Sequence, residues 1–241
     1  MVRLLLSSLL VLTPPANAEL NFGFQPEFDD SFTSELDPFA PRGLKVSYLS
    51  SVVIHSVKEK ELAGSGSGNY FRLGKHRFII TAAHVVDNND ITFIMERGFD
   101  KTGDLTEANI VYIDKDSDIA ILVPVEKLKH TKAIPFRRDI NNQIGEKTYH
   151  TGHPSSQGWH ISEGILSGTL DDVLMINTFA WPGSSGSIVF DEGGRVIGVL
   201  SAIKVDGPLG LPVLIEHIVM AGNIKQLDQE TLVATLKSNK N

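Results

Sequence analysis

From about Gly43 onward, short apolar runs alternate with clusters of Gly, Asn, Asp and Ser, the pattern of many short strands joined by turns. The runs predict strands over Leu49 to Val57, Asn69 to Leu73, Arg77 to Thr81, Ile91 to Met95, Ala108 to Ile113 and Ile119 to Pro124. Breaker-rich pieces separate them at Gly64-Ser65-Gly66-Ser67-Gly68, Asp87 to Asp90 and Arg97 to Gly103. A polar connector, Glu126 to Gln143, follows. Strands then resume over Lys147 to Thr151, His160 to Leu166, Val173 to Ile176, Ser187 to Phe190, Arg195 to Ile203 and Leu211 to Glu216. Six strands followed by six strands suggest two small all-β barrels in tandem, spanning residues of about 43–126 and 140–222. Near the end, Asp228 can cap a helix over about 227–238, with Leu232, Val233 and Leu236 on one face.

The first residues follow a different pattern. Arg3, an apolar run from Leu4 to Leu12 and the small-residue site Ala16-Asn17-Ala18 read as a secretory leader over residues 1–18. The run is too short to span a bilayer, and no later stretch is long and apolar enough, so no membrane span is expected after leader removal. Residues 19–41 form a separate arm with six acids, no basic residue and five phenylalanines (Phe22, Phe24, Phe28, Phe32, Phe39), interrupted by Pro26, Pro38 and Pro41. Two readings stand: a solvated arm, or a pro-segment whose rings fill an apolar groove.

Composition narrows the class. With 41% hydrophobic and 21% charged residues, the chain can form an ordinary packed core. There is no cysteine, which in an exported protein excludes a disulfide framework and a thiol nucleophile, and leans towards a bacterial or phage source. The formal charge is −7, which argues against a general nucleic-acid binder.

Three local constellations carry chemistry. In Ile79-Ile80-Thr81-Ala82-Ala83-His84, an apolar strand ends in small residues and a histidine follows at once; alone, such a histidine is as readily a packed or surface one. Asp118 stands where a charged loop enters the apolar run Ile119 to Leu122, so its carboxylate needs a donor, whereas Asp114 and Asp116 read as turn residues. The third is Trp181-Pro182-Gly183-Ser184-Ser185-Gly186-Ser187. A serine hydroxyl attacks well only when a base takes its proton, and its loop must aim backbone N–H groups at a developing oxyanion. Gly183 and Ser185 are placed to supply those groups.

Thr81-Ala82-Ala83-His84, Asp118-Ile119-Ala120-Ile121-Leu122 and Gly183-Ser184-Ser185-Gly186-Ser187 together resemble the three motifs of trypsin-like serine peptidases, in the order of that family and not of subtilisins or α/β-hydrolases. Gly64 to Gly68, Thr106-Glu107-Ala108, Gly152-His153-Pro154, Ser162-Glu163-Gly164-Ile165 and Gly194 to Val199 resemble the bacterial branch, which includes periplasmic quality-control proteases and staphylococcal-type glutamyl endopeptidases. The resemblance covers about residues 44–225. It implies two six-stranded antiparallel barrels of the chymotrypsin-like type within a protease domain at 42–241, and a secreted or periplasmic location. It also implies a His84–Asp118–Ser185 triad between the barrels, an oxyanion hole from Gly183 and Ser185, polypeptide substrates and no cofactor. Ser201 matches a family serine that hydrogen-bonds the catalytic aspartate.

Departures matter too. Ser184 replaces the aspartate that pairs with a freed N-terminus in digestive trypsins, so that switch is not expected. With Asn241 the last residue read, the PDZ module of many quality-control proteases is not expected. By counting, Phe179 falls at the base of the primary pocket and Ile203 on its wall, which implies a small or medium apolar side chain before the cut. A metal role for His150, His153 and His160 is disfavoured, because Gly152 and Pro154 imply a turn and no matching carboxylate or thiolate set is present. The alternatives are a protease-fold binding or regulatory protein with a latent triad, or an esterase-like acyl hydrolase. No oligomeric state is implied.

Overall fold

The ring closure that makes a barrel begins with antiparallel pairing in register. In the computed structural model, which describes residues 36–97, 105–154, 158–171, 173–205, 214–224, 227 and 229–238, six strands close the first barrel. They are β1 (Ser51–Lys58), β2 (Glu61–Leu73), β3 (His76–Thr81), β4 (Ile91–Met95), β5 (Thr106–Asp114) and β6 (Ile119–Pro124), in ring order β1-β4-β5-β6-β3-β2, with β1 returning to β2. A two-residue strand, β7 (Ile134–Pro135), adds to β2 in parallel from within the connector. The second barrel is β8 (Lys147–Gly152), β9 (His160–Leu170), β10 (Val173–Thr178), β11 (Ile188–Asp191), β12 (Val196–Val205) and β13 (Leu214–Asn223), closed in the order β10-β13-β12-β11-β8-β9. Two closed six-stranded barrels are thus observed, with a C-terminal helix at Gln229–Ser238. The leader at 1–18, arm residues 19–35 and the capping position Asp228 lie outside the described residues.

Two local readings are corrected. The run from Leu49 is not the start of a strand: Arg42–Ser50 is a helix, α1, and β1 begins at Ser51. The helix carries a narrow buried face of Gly43, Ser47, Tyr48 and Ser50, too polar to register as a helical apolar stripe. Tertiary contacts hold it: Gly43 N–H bonds Glu192 O at 3.0 Å, and Ser47 Oγ meets Thr151 Oγ1 at 2.9 Å. The Gly-Ser run at 64–68 is also not a break but the middle of β2. A Cβ on Gly66 would lie 2.6 Å from Val85 Cγ2 and 2.9 Å from Ser185 O, so the residue is glycine for close approach rather than for a turn.

One apolar core crosses the boundary between barrels. Phe71 of β2 packs on Phe78 of β3, on Phe136 of the connector and on Phe190 of β11, with ring centroids at 5.8, 5.5 and 6.2 Å. The same cluster includes Ile54, Ile80 and Ile121 from the first barrel and Ile188, Val196 and Val199 from the second. A smaller cluster (Leu166, Leu174, Ile176, Val189, Ile197, Leu200) fills the second barrel alone. Asn69, fully buried, bridges the halves through its side chain. Its Nδ2 donates to Ser47 O and Ser50 Oγ at 3.0 and 2.8 Å, and its Oδ1 accepts Ile188 N–H at 3.1 Å.

Candidate active site

Strand β3 ends at Thr81, and Ala82 and Ala83 turn the buried chain into the single helical turn α2 (Ala83–Val86) that carries His84. Both alanines are essentially inaccessible to solvent. Asp118 fixes this turn three times. Its carbonyl accepts Ala83 N–H at 3.1 Å, its Oδ1 accepts His84 N–H at 2.9 Å, and its Oδ2 lies 2.7 Å from His84 Nδ1. Asp118 itself adopts φ 54°, the left-handed region that aspartate tolerates better than most residues. Ser56 Oγ donates to Val85 O and ties the turn to β1.

Ser201, on β12 of the second barrel, donates its hydroxyl to the same Asp118 Oδ2. Burial opposes ionisation of Asp118. The hydrogen bonds from His84 and Ser201, together with the positive charge His84 can carry, outweigh it and hold the carboxyl below the usual carboxylate range. The carboxylate therefore stays charged and accepts from both sides. With Nδ1 occupied, the other ring nitrogen of His84 is the one left for a reacting group.

The Ser185 loop is built from the opposite barrel and clamped from β2. Ser184 is almost fully buried, and its Oγ accepts Trp181 N–H at 3.3 Å. That is a structural role at the position where an activation aspartate was expected to be missing. Ser67 of β2 holds two carbonyls of the loop: its Oγ donates to Gly183 O at 2.7 Å and its N–H donates to Ser185 O at 2.7 Å. The same Oγ accepts His153 N–H at 3.0 Å. Gly183 has φ 102°, and Gly186 has φ 86° with no room for a Cβ, which would lie 2.2 Å from Ser67 O and from Thr81 Oγ1. Among the described residues, the amides of Gly183 and Ser185 donate to no main-chain acceptor.

These parts meet at one cleft cavity of about 540 Å³, lined by His84, Ser185, Gly183 and Ser201. Its apolar wall is Ala180, Leu200 and Val219, with half-exposed Trp181 at the rim. Phe179 does not line it. Its ring is 47% exposed and lies 5.1 Å from the His160 ring, while its carbonyl accepts from His150 Nε2 at 3.0 Å. Ile203 pairs with Val219 across β12 and β13, and its side chain lies outside the described residues. The three histidines of β8, its following turn and β9 do other work. His150 is fully buried and its pKa falls to about 4, chiefly through desolvation; it is a neutral donor to Phe179 O. His153 is lowered to about 3, first by burial and then by Arg97 and His55 nearby, and stacks edge-on against Trp159 at 4.5 Å.

Sequence reasoning missed Ser67 and Ser56. Both sit in runs that read as ordinary strand or linker, and Ser67 meets Gly183 across 116 residues of chain. The only local signal was a serine flanked by glycines, a composition shared with any flexible segment.

Comparison with known proteins follows the same line. A model of the trypsin-like peptidase domain matches residues 66–199. A probable periplasmic serine endoprotease, DegP-like, from Bartonella henselae is 28% identical over 174 residues, covering 68% of this chain and 33% of that protein. A DegP-like counterpart from Rhizobium meliloti is 29% identical over 154 residues, covering 60% of this chain and 29% of its own. The chain thus spans about a third of the length of the curated relatives it matches. In shape it is similar to the serine endoprotease from Yersinia pestis (TM-score 0.62, 21% identity, 81% of this chain and 65% of that one). It is equally similar to the HtrA-type protease AlgW with tripeptide (TM-score 0.63, 21% identity, 81% and 63%).

Proposed function

Because this chain belongs to the trypsin-like peptidase domain family, we propose that it is a serine endopeptidase that cuts polypeptides outside the cytoplasm. The observation that carries the reading is the pairing of His84 with an ionised, doubly hydrogen-bonded Asp118 in the cavity that also holds Ser185 and two unengaged loop amides. Ser185 Oγ attacks the scissile carbonyl carbon while His84 Nε2 takes its proton. The carbonyl oxygen becomes an oxyanion held by the Gly183 and Ser185 amides. Collapse of that intermediate breaks the C–N bond, and His84 returns the proton to the leaving amine. Water then repeats the sequence on the acyl-enzyme and frees Ser185. Asp118 keeps the imidazole in the tautomer with its proton on Nδ1 and stabilises the imidazolium; Ser201 holds Asp118 in place.

Ala180, Leu200 and Val219 supply an apolar wall, which favours a small or medium apolar side chain before the cut. A leader at 1–18 and relatives named as periplasmic support an exported location. The direct test is labelling of the purified protein with a fluorophosphonate, followed by intact mass. One adduct per chain is expected, with none on Ser185→Ala; labelling that persists in that variant would defeat the assignment.

Ser67 is a positioning residue in this scheme. Ser67→Ala frees the Gly183 carbonyl and loosens the oxyanion loop, at less cost than deleting a donor outright. A drop in kcat of about 10- to 100-fold is expected with KM within about twofold. Steady-state kinetics on a peptide ester check it, and a parallel fall in kcat and rise in KM would mark a merely structural role.

A further inference from the structure

A second cavity, of about 660 Å³, lies on the first barrel and shares no lining residue with the cleft. Five of its lining residues are cations: Arg72 and Arg77 from the β2–β3 hairpin, and Lys127, Lys129 and Lys132 from the connector. No Asp or Glu lines it, in a chain whose formal charge is −7. Among the described residues, none of the five forms an ion pair; the basic side chains that do are His84, Lys115, Lys147 and Arg195. Five like charges around one hollow repel one another, and none of them is neutralised by an ion pair among the described residues.

The site is also rigid. Glu96, 3% exposed, accepts the main-chain amides of Lys129, His130 and Thr131 at 2.8, 2.6 and 2.6 Å, which pins the connector from beneath. That carboxylate is engaged by three main-chain amides and is not itself among the lining residues. Leu128 is buried as an anchor, Lys132 N–H bonds Leu49 O at 3.0 Å, and Phe136 N–H bonds Arg72 O at 3.0 Å, so hairpin and connector are held together. One further polar atom is left over. Thr131 is 7% exposed, lines the cavity, and its Oγ1 is buried without a hydrogen-bond partner among the described residues. A buried hydroxyl without a partner in a native fold calls for an explanation.

We propose that this cavity is a binding site for a multiply charged phosphate-type oxyanion, either a free oligophosphate or a phosphorylated headgroup. Two guanidinium forks and three ammonium groups match tetrahedral oxyanions carrying several charges, and Thr131 adds a neutral donor. The wall offers little apolar surface beyond Tyr70, Leu128 and Ala133, so charge rather than apolar burial is what the hollow offers a ligand.

Isothermal titration of the full chain with sodium tripolyphosphate tests the assignment, with melting temperature as a fold control. Saturable binding is expected that weakens with added salt. The exposed double variant Arg72→Glu/Lys129→Glu should weaken it by about tenfold or more, and Lys60→Glu, elsewhere on the barrel, should leave it within about twofold. Co-sedimentation with phosphatidate but not phosphatidylcholine vesicles, lost in the same double variant, would identify a headgroup as the source; tripolyphosphate binding without it would identify a free anion. Absence of binding, binding that the double variant leaves intact, or tighter binding of a polyglutamate peptide than of tripolyphosphate would overturn the proposal.

Discussion

Replacing Ser185 with alanine lowers kcat for a peptide substrate by about a million-fold, to the residual rate that binding and the oxyanion loop sustain alone. The size follows from what is lost. Without Oγ there is no acyl-enzyme, and His84 can only assist water, which is not held in line with the scissile carbonyl. The loop survives the change: Ser185 N–H, Ser185 O and the Ser67 contact all belong to the main chain. Substrate affinity should therefore stay within a few-fold. A second substitution, His84→Ala, added to the first should cost almost nothing more, since the two groups act as one unit. Single-turnover kinetics on a peptide carrying an apolar residue before the cut measure both statements. A double variant much slower than either single one would show that Ser185 and His84 act separately.

Asp118→Asn lowers kcat by about ten thousand-fold while leaving the fold intact. The amide keeps the shape but presents an N–H₂ where a carboxylate oxygen accepted: at the Oδ2 position it faces both His84 Nδ1 and the Ser201 hydroxyl, and at the Oδ1 position it faces the His84 main-chain N–H. The imidazole then takes the wrong tautomer, and its cation loses its counter-charge. The same exchange has a pH signature in stability. Because the Asp118 pKa is held down in the folded state, its contribution is fully present above the ordinary carboxylate pKa and is lost as pH falls through the lowered folded value. The stability gap between wild type and Asp118→Asn should accordingly narrow towards acid, which urea unfolding at a series of pH values will show. A gap that stays constant would mean that the carboxylate is not stabilised by its partners.

The pairing of His84 with Asp118 was legible because each stands at a junction whose local sequence is itself distinctive. The buried Ala82 and Ala83 precede His84, and Asp118 precedes a four-residue run buried on every side. Strands β4 and β6 were bounded correctly for the same reason: their apolar runs end at real breakers. Helix α1 was not legible. Its stability comes from Asn69, Thr151 and Glu192, residues far away in sequence, and its own residues declare no stripe. The Gly-Ser run misled in the opposite direction. Its glycines suit a flexible linker, but their cause is the Ser185 loop pressing on β2, a contact made over more than a hundred residues. Phe179 illustrates the limit of counting. Position before the nucleophile fixes the main chain, and the carbonyl is indeed engaged by His150, yet the direction of a ring is decided by its neighbours, here His160.

Asn69 carries a consequence for how far the two barrels can part. One amide group is shared among the helix preceding the first barrel, that barrel's longest strand and β11, the strand that follows the Ser185 loop. Swinging the halves apart would strip the Asn69–Ile188 bond in a fully buried site, in addition to opening the aromatic stack around Phe71. The two barrels are therefore tied at a buried hinge point. If the chain is the endopeptidase proposed above, a client would enter as an extended, unfolded stretch, and the state of that client would set which chains are cut.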